Sequence, residues 1–304
     1  MTRLKVAGRT IRLDIPDRFV EEHMRKFMCP PGRGISDGDD IIIEATHGQA
    51  PEIPEGAVKE VDFTVHNIYN YGEHKYYVRS ADDYVTCLKY DKGCTCFTLY
   101  LNDLIADDGL DEIGDNAIDM NFSSVLRRIF VMIIAKRGGV NLHSASILHN
   151  GGAIIFSAPS GTGKTTHVGM WGETFPGTEV INGDNGYCFA DNGGAFICGA
   201  PWCGTSGDCL NIKAPIRAIV FLEQAKENII RELDIPEAFI RLSAGCFLPA
   251  WDKDLMTQAI GVTEKLASDV KCYHLKCLPD HSAARTAYEG IYRPGAENPS
   301  GSMV

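Results

Sequence analysis

A two-part α/β protein is predicted, with a larger α/β domain preceded by a smaller β-rich domain. Three observations predict it. The chain has 304 residues, and a length prior of roughly 150 residues per domain gives two domains. Residues 1–118 read as short strands and polar loops. Beyond them, a buried strand runs into a glycine-rich loop and then a helix.

In the first part, Ile41-Ile42-Ile43 is a compact apolar run. Val61 to Val65 alternates with the period of a half-buried strand. Tyr76-Tyr77-Val78 and Cys96 to Tyr100 add two more β-rich pieces, and Pro30 to Gly32 and Pro51 to Gly56 punctuate loops. This part carries no recognisable catalytic constellation. Asp103 to Asp119 is acidic and reads as a surface linker.

The second domain is expected over residues 119–292. Phe122, Val125, Leu126, Ile129, Phe130, Ile133 and Ile134 recur at helical spacing, with Asn121 or Ser123 as the cap and Gly138-Gly139 as the stop. This helix is expected to pack on the sheet that follows. Val140 to Leu148 reads as a strand, Asn150-Gly151 as a two-residue hairpin turn, and Ala153 to Phe156 as the buried return strand. Further strands are predicted at Glu179–Ile181, Gly186–Phe189, Phe196–Cys198, Arg217–Leu222 and Cys272–Cys277. Helices are predicted after the glycine-rich loop, after Pro236, over Asp252–Ser268 and from Asp280. Residues 293–304 read as a disordered tail.

Hydrophobic residues make up 44% and charged residues 23%, the balance of a globular chain. The formal net charge of −11 argues against nucleic acid and anionic membranes as partners. No apolar run reaches the ~18 residues of a membrane-spanning helix, and the polar N-terminus is not a signal peptide. The eleven cysteines lack paired Cys-x-x-Cys units and read as reduced thiols. A cytoplasmic protein is expected.

Ala158-Pro159-Ser160-Gly161-Thr162-Gly163-Lys164-Thr165 fits the phosphate-loop pattern, with Ala158 in place of the first glycine. Glycines let backbone N–H groups converge on phosphate oxygens, and the following helix aims its positive end there. ATP is therefore expected on Ser160, Gly161, Thr162, Gly163, Lys164, Thr165 and Thr166. Lys164 would serve the β- and γ-phosphates, and Thr165 would offer its hydroxyl to Mg²⁺. Asp184, at the end of a short strand, would hold the metal or accept a proton. Read alone, its surroundings favour a plain turn rich in Asn and Gly over a functional carboxylate; following a phosphate loop, the functional reading is preferred. His143, one hairpin from the loop, would orient Asp184 or touch substrate. His149 is expected to be exposed; His167 is expected near the nucleotide or on the helix surface. Glu223 reads as the surface end of a buried strand, and Pro201 to Asp208 as a lid or peptide bed holding Trp202.

Ser160 to Thr166 resembles the kinase motif of ATP-dependent phosphoenolpyruvate carboxykinase, and Gly183-Asp184-Asn185 resembles the Gly-Asp-Asp that follows it. The order His143, hairpin, phosphate loop, Asp184 is more similar to HPr serine kinase and its short relatives. Some of those accompany ribosomally made peptides, including lasso-peptide precursors, and phosphorylate a peptide serine. Gly138 to Thr166, Pro201 to Gly204 and Ala214 to Glu223 look especially like these relatives, and the resemblance spans roughly residues 120–290. It implies a phosphoenolpyruvate-carboxykinase-like P-loop kinase domain using ATP and Mg²⁺. Asp184 would be the acid/base, with His143 nearby. Asn185 departs from the second aspartate of that family, and Arg217 or Arg241 would be its downstream arginine. The expected partner is a peptide or small protein bearing serine; a homo-oligomer is left open. A small-molecule kinase, a carboxykinase-like enzyme and a non-catalytic nucleotide sensor are the alternatives.

Overall fold

A computed structural model describes residues 1–30, 40–62, 66–102 and 112–293, without the side chains of 112–115. Parts of the expected strand at 61–65, the loop at 30–32, the linker at 103–119 and the tail lie outside the described residues. The chain is mixed α/β and divides into two compact units. The first comprises the described residues of Met1–Val140 with Phe247–Gly261; the second comprises Asn141–Cys246 and the described residues from Val262 onward. Their boundary at 140/141 falls later than the expected 118/119.

The first unit is built on an eight-stranded sheet: β1 (Thr2–Val6), β2 (Arg9–Asp14), β3 (Ile41–His47), β4 (Val58–Asp62), β5 (His66–Tyr71), β6 (His74–Arg79), β7 (Val85–Asp91) and β8 (Cys96–Leu101). The strand order is β1-β2-β3-β8-β7-β6-β5-β4. β3 lies parallel to β2 and β8, and β8 back to β4 is an antiparallel meander. Ile41 and Ile43 face the core, as two-residue alternation requires.

Helix α1 runs from Glu112 to Lys136. It claims residues read as linker, because an Asp- and Asn-bearing first half contributes few apolar positions to the periodic signal. Asn121 and Ser123 lie inside it and cap nothing. Asn121 instead accepts from Val85 N at 3.0 Å and donates to Asp83 at 3.1 Å, while Ser123 donates to Glu21. Phe122 stacks on Phe19 with ring centroids 3.7 Å apart, so α1 packs within the first unit. Gly138 stops it with φ +75°.

In the second unit β9 (Gly139–His149) turns through Asn150 and Gly151, both at positive φ, into β10 (Gly152–Ser157). There follow α2 (Lys164–Thr174), β11 (Glu179–Asn182), β12 (Asn185–Asp191), β13 (Gly194–Gly199), β14 (Lys213–Gln224), β15 (Ile229–Glu232), α3 (Ile235–Gly245) and β16 (Cys246–Phe247). The chain continues with α4 (Lys253–Asp269), β17 (Cys272–Cys277) and α5 (His281–Tyr292). β10, β14 and β17 are parallel, flanked by antiparallel β9 and β15. Such a parallel core is buried on both faces, which is why β10 reads as an unbroken apolar run. Ile154, Phe156, Val220 and Leu275 pack with Trp171 of α2 and Ala284 of α5. No helix among the described residues is long and apolar enough to cross a membrane. All eleven cysteines are free thiols.

Candidate functional site

The loop leaves β10 at its C-terminal end, where ligands of parallel sheets gather. Gly161 and Gly163 take φ +79° and +105°, and a Cβ on either would meet nothing within 4 Å. The positive φ excludes L side chains, and the open space above leaves the backbone accessible. Gly163 is the N-cap of α2, no side chain caps it, and the first helical bond runs from His167 N to Gly163 O. The N–H groups of the first turn thus remain for an external acceptor. Ser160, Thr165 and Thr166 are exposed; Thr162 is half-buried.

Lys164 is buried, and its ammonium is held from three sides. It lies 2.9 Å from His143 Nε2, and it donates to Ala158 O at 2.9 Å and to Pro159 O at 3.4 Å. Burial lowers its pKa from the ordinary value, opposed by Asp184. An ammonium only donates, so Nε2 of His143 accepts and the ring proton sits on Nδ1. Nδ1 faces Asp184, 3.2 Å from its carbonyl oxygen and 3.4 Å from Oδ1. The carbonyl is the nearer acceptor, and the carboxylate supplies mainly charge. The pKa of His143 is lowered by burial first and by Lys164 second, against the pull of Asp184. Burial therefore keeps the imidazole of His143 uncharged at neutral pH.

The backbone fixes these positions. Ser157 donates to His143 O at 2.9 Å, and Ser144 N donates to Asp184 O at 3.0 Å. β9 thus ties the glycine-rich loop on one side and the Asp184 turn on the other. That turn is organised by Asn182, a residue that sequence reasoning passed over. Asn182 is fully buried; its Oδ1 accepts from Asp184 N at 2.9 Å and Asn185 N at 2.7 Å, and its Nδ2 donates to Ala200 O and Trp202 O. The Asn-Gly-Asp-Asn run is the signal that could have found it, since an Asn side chain bonds its own backbone two residues on. Asn185 is also buried and donates to Asp184 Oδ2 at 2.5 Å. A second aspartate there would set two carboxylates against each other.

Several expectations need correction. His149 is 5% exposed, not exposed: it sits among Trp171, Phe175, Tyr288 and Tyr292, and Thr178 Oγ1 lies 3.0 Å from Nδ1. His167 is 2% exposed, on the sheet-facing side of α2, where it accepts from Trp171 Nε1 at 3.1 Å. Trp202 is 3% exposed and offers no surface to a peptide; the exposed parts of its loop are Gly204 to Ser206 and Asp208. A Cβ on Gly204 would stand 2.9 Å from Asp184 Cβ, so this rim lies directly against the carboxylate turn. Arg217 lies against Gly152 and Tyr292, at the opposite end of β10 from the loop, and Arg241 pairs with Glu237. Glu223 is exposed, as expected, and the next residue, Gln224, donates to Thr162 O at 3.1 Å.

No group of three or more His, Cys, Asp or Glu side chains among the described residues could hold a metal ion by itself. Asp184 is a single carboxylate near a helix N-terminus. Such a set suits a cation that arrives with phosphate oxygens, because Mg²⁺ commonly takes one or two protein carboxylates plus phosphates. No protein-family model matches the chain, and no curated protein matches it.

Proposed function

We propose that this chain is an ATP- and Mg²⁺-dependent kinase that transfers the γ-phosphoryl group to a serine hydroxyl of a peptide or small protein. The observation that carries the reading is the contiguous set Lys164, His143 and Asp184 beside an uncapped helix N-terminus with open glycines. The phosphoenolpyruvate-carboxykinase-like P-loop fold belongs to the same proposal. It is supported by the parallel strands β10 and β14 and by the loop's exit from β10.

In this reading the backbone N–H groups of the loop and Lys164 bind the β- and γ-phosphates. Asp184 accepts the acceptor's hydroxyl proton as the serine oxygen bonds to the γ-phosphorus. The bond from that phosphorus to the bridging oxygen breaks, and ADP leaves with the electron pair. His143 keeps Lys164 and Asp184 in register and stays neutral. Thr165 and Asp184 would hold Mg²⁺, which supplies charge neutralisation on the phosphate oxygens when bound. The exposed rim Gly204 to Ser206 is where an acceptor would lie.

A second reading, transfer to a small-molecule hydroxyl, is favoured by the burial of Trp202, which leaves only a short rim for contact. The test offers the protein γ-labelled ATP and Mg²⁺ with serine-containing peptides, with small hydroxyl compounds, and with oxaloacetate. Labelled phosphopeptide is expected. Label in a small product alone, or phosphoenolpyruvate formation, would replace the proposal.

A further inference from the structure

Between Gly161 at φ +79° and Gly163 at φ +105° lies one residue, Thr162. Glycines on both sides make the Thr162–Gly163 peptide easy to turn over, because neither flank has a Cβ to oppose the rotation. Yet both backbone groups of Thr162 are held. Its N–H donates to Pro159 O at 3.3 Å, closing a turn with Gly161 in the third position, where a type II turn needs positive φ. Its carbonyl accepts from Gln224 Nε2 at 3.1 Å. Gln224 is the last residue of β14, three positions past Phe221, which pairs with Ser157 at the end of β10. β14 thus outruns β10 and carries this side chain alongside the loop. The side chain is exposed, and Thr162 is its one hydrogen-bond partner among the described residues.

A trans peptide sets its C=O and the following N–H on opposite sides, and no peptide bond of the described residues is cis. With Thr162 O turned to Gln224, the N–H of Gly163 faces away from Gln224. It has no hydrogen-bond partner among the described residues, and it opens the same uncapped helix start whose first-turn N–H groups await an acceptor. The carbonyls of Ala158 and Pro159 are already taken by Lys164. The acceptors of Ala158, Pro159 and Thr162 are therefore engaged while the Gly163 donor is left over, a balance that suits an acceptor-only ligand such as a phosphate oxygen.

We infer that Gln224 is a positioning residue of the phosphate site: its amide holds the Thr162 carbonyl outward and so presents the Gly163 N–H to a phosphate oxygen. The inference rests on the nucleotide reading and names both the backbone donor and the side chain that aims it. Without the amide the peptide populates both orientations, and only one of them binds. Affinity then falls by the fraction of the chain that is competent.

The test uses the full chain labelled with ¹³C-carbonyl threonine and ¹⁵N-glycine, which singles out the Gly163 amide because the sequence holds one Thr-Gly pair. Inorganic pyrophosphate and ATP, each with Mg²⁺, are titrated into the native chain and into Gln224→Met, which keeps the side chain's length and loses its donor. In the native chain the Gly163 signal should move saturably downfield with both probes. In Gln224→Met the free signal should differ from the native one, the saturated signal should coincide with it, and both midpoints should rise about two- to tenfold, the worth of one hydrogen bond between neutral groups. A free Gly163 signal that superimposes on the native one, or a midpoint unchanged in either titration, overturns the inference and leaves the nucleotide reading standing. A native chain that gives neither a shift nor a calorimetric heat with either probe removes that reading and the inference with it.

Discussion

Nζ of Lys164 stands 2.9 Å from Nε2 of His143, and the other nitrogen of that imidazole faces Asp184. A cation and an anion are thus joined through one neutral ring. Each of the three can be removed with a distinct consequence.

Lys164→Ala removes the ammonium that would meet the phosphates. A hydrogen bond to a charged group is worth about 1.5–3 kcal/mol, so ATP affinity should fall roughly ten- to hundredfold. Titration calorimetry checks this, and an unchanged affinity would remove the phosphate-loop assignment.

Asp184→Asn keeps the shape of the side chain and removes its charge. ATP should still bind, while transfer falls by about 10²–10⁴, the usual worth of a positioned base. Single-turnover assays with labelled ATP separate the two. Undiminished transfer would mean that another carboxylate takes the proton.

His143→Ala should lower the maximal rate more than it weakens ATP binding. The ring positions Lys164 and Asp184 and needs no direct contact with the nucleotide. Comparing kcat with the affinity for ATP decides the point; equal losses in both would make His143 a binding residue.

Asn185→Asp places a second carboxylate against Oδ2 of Asp184. Like charges that close push the pair's two apparent pKa values apart and raise the second, the loss that leaves both side chains ionised. The acid limb of the pH–rate profile should move upward by about one unit. A profile that superimposes on the native one would show that Asn185 does not control the base.

His167 carries a pH dependence of stability. It is buried, and burial lowers its pKa to about 4, below the 6.5 of an exposed imidazole. Between those values the unfolded chain binds a proton that the folded chain refuses. Stability should therefore be fully present above pH 6.5 and decline as pH falls toward 4, by up to about 3 kcal/mol. Urea unfolding of the native chain and of His167→Leu at pH 7 and pH 5 checks this. The variant should show the shallower decline, since it has no ring to protonate.

Much of the second unit was legible because its signals are local. Asn150-Gly151 marks the hairpin, Pro236 and Asp280 mark helix starts, and the run Ala153 to Phe156 is too apolar to sit on a surface. β15 escaped, because Ile229-Ile230-Arg231-Glu232 is short and lies on an edge with mostly exposed side chains. In the first unit β1, β2 and β7 escaped for a related reason: Lys, Arg and Asp interrupt the alternation, and the strands are defined by their partners. At the site, residue types alone singled out His143, Lys164 and Asp184, which the fold brings together. They did not single out Asn182, whose role is to bond backbone, nor did they show that His149, His167 and Trp202 are packed inside.

The seat of the phosphate loop also sets when it can form. β10 pairs at once with its hairpin neighbour, Ile154 beside Ile147, but its other edge waits for a strand much later in the chain, Ile154 beside Ala218. Closing so long a segment is slow relative to hairpin formation. During synthesis the hairpin therefore emerges with one side of β10 unpaired, and the loop gains its rigid footing only after β14 has docked. Competence for the proposed nucleotide binding should consequently be among the last properties acquired in refolding, trailing the appearance of β structure.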